Sequence, residues 1–145
     1  MKPTLVIGIG NTSRGDDGAG IRVAERIAAR HTDVDVLCVQ QLSPEHADTI
    51  ARYDRLIVVD ASVTADTVRV TPLHAAEDTP MPRTHTVTPE GVLALTSTLY
   101  DHVPSEAMLV EIPASQCGFT EELSPSTAAV AATALGIISR HVTEN

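Results

Sequence analysis

The stretch LVIGIGNTSRGDDGAG, residues 5–20, decides how this chain is read. The aliphatic run Leu5-Val6-Ile7-Gly8-Ile9 leads into a glycine-rich turn, after which Ile21, Ala24, Ile27 and Ala28 recur at helical spacing over 18–31. A strand covered on both faces reads as an unbroken aliphatic run, and apolar positions three and four apart mark one face of a helix. The stretch is therefore a strand, a turn and a helix, the junction at which α/β proteins bind phosphates. Here the charge of that junction is inverted. Gly10 and Gly15 enclose four residues as in a P-loop, but Asp16-Asp17 stands where the Lys-Ser/Thr pair should follow. A dinucleotide fingerprint would need glycine at 8, 10 and 13, and position 13 is Ser13. Two carboxylates on such a turn repel phosphate and attract a cation. Either acid alone has an ordinary explanation, since a carboxylate complements the N-terminus of the helix behind it. Side by side they are expected to divide the work, one bonding the turn backbone and the other facing out.

Working outward, strands are expected over 34–39 and 55–60, the second (RLIVVD) a continuous aliphatic run ending in Asp60. Ser43-Pro44-Glu45 predicts a helix with a serine cap and proline at its first position, running to about residue 52. A short edge strand is expected within 66–73, a proline-rich loop over 74–89, a helix over 89–100, a strand over 107–112 and an alanine-rich helix over 126–141. Strands alternating with helices predict a parallel sheet, and the ligand of such a sheet gathers at the C-terminal ends of its strands. Asp60 and the acidic turn belong at that edge together.

The 145 residues predict one domain, 1–145, with no internal repeat or linker. Three aromatics (Tyr53, Tyr100, Phe119) in a chain that is 43% hydrophobic imply an aliphatic core. The net charge of −9, with Lys2 the single lysine, argues against a nucleic-acid surface. No apolar stretch approaches a membrane span and Met1-Lys2-Pro3 leads straight into a strand, so the expectation is a soluble, cytoplasmic protein without a membrane partner. Cys38 and Cys117 form no CxxC and no zinc spacing and are expected as free thiols.

Asp60 at the end of a buried strand is costly to desolvate unless it is paired or faces a cleft. His85 lies in a polar loop; folded over Asp17 and Asp60 it would complete an O,O,N donor set for a metal. His31 and His141 fall at helix C-termini, His46 in mid-helix, and His74 and His102 in loops. No HExxH exists, and Ser13, Ser43 and Ser62 lack the GxSxG elbow, which removes the zincins and the α/β-hydrolases. Arg22, Arg26 and Arg30 form a stripe along one helix face, expected to be solvated.

Taken together, Ile7-Gly8-Ile9-Gly10-Asn11 with Arg14-Gly15-Asp16-Asp17-Gly18-Ala19-Gly20, then Val58-Val59-Asp60-Ala61, Thr84-His85 ahead of Leu93, and Leu123-Ser124-Pro125 resemble the [NiFe]-hydrogenase maturation proteases. The resemblance spans essentially the whole chain. It implies a three-layer α/β/α sandwich on a twisted, mainly parallel sheet, and an aspartic-type endopeptidase activity that removes the C-terminal extension of a hydrogenase large-subunit precursor after nickel insertion. Carried over residue by residue, it makes Asp17, Asp60 and His85 the catalytic and metal-binding residues. Asp17 stands where some members have glutamate, a shorter arm with the same hard oxygen donor. Some members carry Ser-Pro-His where this chain has Thr88-Pro89-Glu90, so Glu90 is the alternative third ligand, and Asp16 is assigned to orienting the turn. The nickel is implied to come with the precursor, the protease having no tightly bound cofactor of its own. Two other activities suit the same residues: a self-sufficient metal-dependent peptidase or amidase, and a non-enzymatic nickel-binding chaperone.

Overall fold

The computed structural model describes residues 2–75 and 86–144. Its strands are β1 (Thr4–Ile9), β2 (Asp35–Val39), β3 (Arg55–Ser62), β4 (Arg69–Pro72) and β5 (Glu106–Pro113), and its helices α1 (Ala19–Arg30), α2 (His46–Ile50), α3 (Pro89–Leu99) and α4 (Pro125–Thr143). The strands form one sheet in the order β2-β1-β3-β5-β4, parallel except for the antiparallel edge strand β4.

Alternation along the central strands splits the core in two. Val6, Ile57, Val59, Val110 and Ile112 pack under α1 and α4, against Val23, Ala24, Ile27, Ala134, Leu135 and Ile138. Leu5, Ile7, Leu56 and Val58 face the other way, against Ala47 and Ile50 of α2 and Val92, Leu93 and Leu95 of α3. Both faces of β1 and β3 are covered, which is why those segments read as unbroken aliphatic runs. The result is the expected α/β/α layering. Among the described residues no helix is long and apolar enough to cross a membrane.

Helix α1 sits unusually close to the sheet. A Cβ on Gly20 would lie 2.4 Å from the Val59 carbonyl oxygen and 2.8 Å from that of Ile9, so only glycine lets the helix start against the C-terminal edge of β1 and β3. At the opposite edge of β3 the buried Arg55 donates to the α4 carbonyls of His141 (2.7 Å) and, just past the helix, Glu144 (3.2 Å), and pairs with Glu106 (3.1 Å). A cation from the sheet thus satisfies the C-terminal end of the last helix.

Several boundaries differ from the sequence reading. Helix α2 begins at His46, because the Ser43 hydroxyl turns to Glu45 (3.1 Å) and the Ser43 backbone N–H donates to His46 Nδ1 (2.9 Å) instead of a serine cap forming. His46 is therefore at the start of the helix, not within it. Strand β3 continues to Ser62, two residues past Asp60, and the 66–73 segment yields a four-residue exposed strand. Cys38, within the strand expected over 34–39, is exposed because β2 is a sheet edge; both thiols are free, as expected. In the arginine stripe Arg26 and Arg30 are solvated, but Arg22 is half-buried and donates to the Glu121 carbonyl at 3.2 Å.

Candidate functional site

The acidic turn is built by glycines and closed by its own backbone. Gly10 has φ +148°, and a Cβ there would fall 2.0 Å from the Asp17 carbonyl oxygen. The Asn11 side chain accepts from the Ser13 N–H (3.0 Å), and the segment winds into a single 3-10 turn, Gly15–Gly18, that runs on into α1. Asp17 is half-buried, with one carboxylate oxygen held by the Asn11 N–H at 2.9 Å.

Asp16 points the other way and is fully buried. Its carboxylate accepts from the backbone N–H groups of Ser115 (2.9 Å), Gln116 (2.8 Å) and Ser124 (2.7 Å), and from the hydroxyls of Ser124 (2.8 Å) and Thr127 (2.9 Å). Burial pushes its pKa up, but the bonds from Ser115, Ser124 and Gln116 outweigh that and hold the group well below the usual carboxylate range. The expected division between the acids is thus modified. Asp17 bonds the backbone of its own turn, while Asp16 bonds the chain that follows β5, some hundred residues on. Backbone bonds from Gly15 N to Thr120 O (2.7 Å) and Asp16 N to Gln116 O (2.9 Å) complete the join.

Asp60 lies in the C-terminal half of β3, on the sheet face that carries Leu56 and Val58. It is half-buried, and desolvation raises its pKa to about 6, with the negative charges of Asp17 and Glu111 adding to the rise and a bond from the Ala61 N–H opposing it. The turn and the strand therefore place Asp17 and Asp60 close enough to repel each other. Glu111, which sequence reasoning missed, stands opposite Asp60 in the parallel register of β3 and β5, and Arg69 of β4 pairs with it at 3.5 Å.

Glu90, the alternative third ligand, occupies the first turn of α3, half-buried, behind a Thr88 cap that accepts from the Gly91 N–H at 3.0 Å. His85 lies outside the described residues. Among the described residues no group of three His, Cys, Asp or Glu side chains is arranged to hold a metal ion. What the geometry provides is a pair of hard oxygen donors under mutual repulsion, which a divalent cation would relieve; the donor set suits a cation and leaves coordination positions to be filled from elsewhere. The remaining histidines are structural or exposed. His31 Nε2 lies 3.1 Å from Ser139 Oγ, joining α1 to α4, and His102 bonds the Tyr53 carbonyl (3.0 Å) beside Asp54.

No protein-family model matches this chain, and no curated protein matches it by sequence. Solved structures do match. The hydrogenase maturating endopeptidase HybD from E. coli superposes with a TM-score of 0.76 at 23% identity, over 97% of this chain and 92% of its own. The [NiFe] hydrogenase maturation protease HycI from Thermococcus kodakarensis gives 0.73 at 22% identity, over 99% and 94%. A hydrogenase 2 maturation peptidase from a Thaumarchaeota archaeon gives 0.70 at 21% identity, over 97% and 98%. Along almost its whole length, the chain has the α/β fold of these hydrogenase maturation endopeptidases.

Proposed function

We propose that this protein is an endopeptidase that removes the C-terminal extension of a [NiFe]-hydrogenase large-subunit precursor once nickel has been inserted. The observation that carries the reading is the convergence of Asp17 and Asp60, two half-buried carboxylates at the C-terminal edge of the sheet, the charge of the first holding back the ionisation of the second. The fold shared with hydrogenase maturation endopeptidases gives that pair its chemical context.

In this reading the nickel belongs to the substrate and arrives held by the precursor's own thiolates. Asp17, fixed by the Asn11 N–H, and Asp60 offer oxygen donors, and His85 offers a borderline nitrogen donor. Held by those donors, the metal would position the scissile peptide and would supply Lewis-acid chemistry, polarising the peptide carbonyl or lowering the pKa of an attacking water. Burial and the charge of Asp17 disfavour the ionised form of Asp60, so an approaching cation would stabilise it as a carboxylate donor. Asp16 takes no part in the chemistry; it holds the turn.

The test is incubation of the purified protein with candidate precursor, loaded with nickel or metal-free, followed by mass measurement of the product. Cleavage of the nickel-loaded form alone is expected. Equal cleavage of the metal-free precursor would favour a self-sufficient metallopeptidase, and binding without cleavage a nickel chaperone.

A further inference from the structure

The segment that Asp16 ties down carries a feature that neither folding nor the carboxylate pair explains. Phe119, the single phenylalanine of the chain, is 89% exposed, and the Arg14 guanidinium lies over its ring at 4.4 Å from the centroid. An arginine stacked on a solvated ring gains little for the fold, and an unburied phenylalanine contributes nothing to a core. Arg14 is also unspent as a cation. Its side chain donates from Nε to the Cys117 carbonyl at 3.2 Å, and among the described residues no carboxylate lies within ion-pair distance of it, although the chain has 19 acidic residues.

The pair is nevertheless held in place. The bonds from Gly15 N to Thr120 O, Asp16 N to Gln116 O and Arg14 Nε to Cys117 O bracket Phe119 on both sides and stitch its loop to the turn that carries Asp17. A second exposed apolar side chain, Val63 (76%), follows β3 at the same sheet edge, where the Ala114 N–H bonds the Ser62 carbonyl at 2.9 Å. A cation stacked on an aromatic face, with Arg14 three residues from Asp17, suits a peptide in which an acidic residue neighbours an apolar one: the carboxylate meets the guanidinium and the apolar side chain covers the ring.

We propose that Arg14 and Phe119 form a docking platform for such an acidic-apolar stretch in the C-terminal segment of the protein substrate, delivering that segment to Asp17 and Asp60. This rests on the endopeptidase reading above. Both side chains lie outside the core, so their substitution is expected to leave the fold intact.

The test titrates the purified full-length protein, by calorimetry, with a synthetic peptide matching the C-terminal segment of a candidate large-subunit precursor, and with the same peptide after its acidic residues are replaced by their amides. Phe119→Ala and Arg14→Gln are each expected to weaken binding by about tenfold, as loss of an anchor residue does. The amide peptide should bind the native protein more weakly and make no further difference to Arg14→Gln. In precursor cleavage both variants should raise KM while retaining kcat. Equal peptide affinity for the native protein and both variants, or no binding to the native protein, overturns the platform. A precursor cut with unchanged KM by both variants also overturns the platform while sparing the endopeptidase reading. A nickel-loaded precursor left intact by the native protein overturns that reading, and the peptide titration still decides the platform.

Discussion

Replacing Asp60 by asparagine should make the protein more stable at neutral pH while removing its activity. The folded-state pKa of about 6 stands roughly two units above the 3.8 of a solvated aspartate, because burial and the charges of Asp17 and Glu111 disfavour the ionised form. Below about pH 4 the group is protonated in both the folded and the unfolded chain, and it contributes no difference. As pH rises from about 4 to about 6 the unfolded chain ionises first, so the folded state binds more protons and stability falls through that window before levelling off. At about 1.4 kcal/mol per unit the full loss is about 3 kcal/mol, and the residual solvation of a half-buried group reduces it to about 1–3 kcal/mol. The asparagine amide has no charge to desolvate and keeps the shape of the side chain. Urea unfolding of both proteins at intervals between about pH 4 and pH 8 should show the variant's advantage absent or smallest at the acid end, growing through the window and flat above it. Stability curves that run parallel across the whole range would refute the claim that the fold holds this carboxylate under electrostatic tension.

Backbone N–H groups face both carboxylate oxygens of Asp16, so Asp16→Asn turns an amide NH2 group toward a backbone N–H in either orientation and should cost about 2–4 kcal/mol in denaturant unfolding, with little change in fold. Because the Asp16 pKa is depressed, the stability it contributes is present above its unfolded value and is lost as pH falls below about 4, so the gap between native and variant should narrow there. His85→Ala should abolish precursor processing and Glu90→Gln should leave it, because imidazole suits nickel as a borderline donor; the reverse outcome would move the third ligand to α3. The purified protein should contain no stoichiometric metal, and chelators should block cleavage without lowering its Tm, since two carboxylates and one loop donor make a weak resident site.

Much of the architecture is legible in the sequence because it depends on local pattern. The strand, turn and helix over 5–31 and the aliphatic run from Arg55 follow from periodicity and glycine placement, and because β1 and β3 are parallel, the turn that follows β1 and the C-terminal half of β3 bring Asp17 and Asp60 to one edge. What is not legible depends on distant pairing. Glu111 joins the pair only through the β3 and β5 register, and the partners of Asp16 lie in the 115–127 segment, where Ser124 looks like an ordinary helix cap. The start of α2 is missed for a smaller reason, the Ser43 side chain having closer partners than the helix backbone.

Strand β3 carries an ionisable group near each of its ends, the buried Arg55 at the start and the half-buried Asp60 five residues later, about 17 Å apart at the rise of an extended chain. The two ends have different tolerance to change. At the Asp60 end an incoming cation can complete the electrostatics, whereas at the Arg55 end the acceptors are the carbonyls of His141 and Glu144 in the final stretch of the chain. Shortening the chain ahead of Glu144 would strand part of a guanidinium in the interior, so that final turn, remote from the carboxylate pair, solvates a cation of the sheet in place of water.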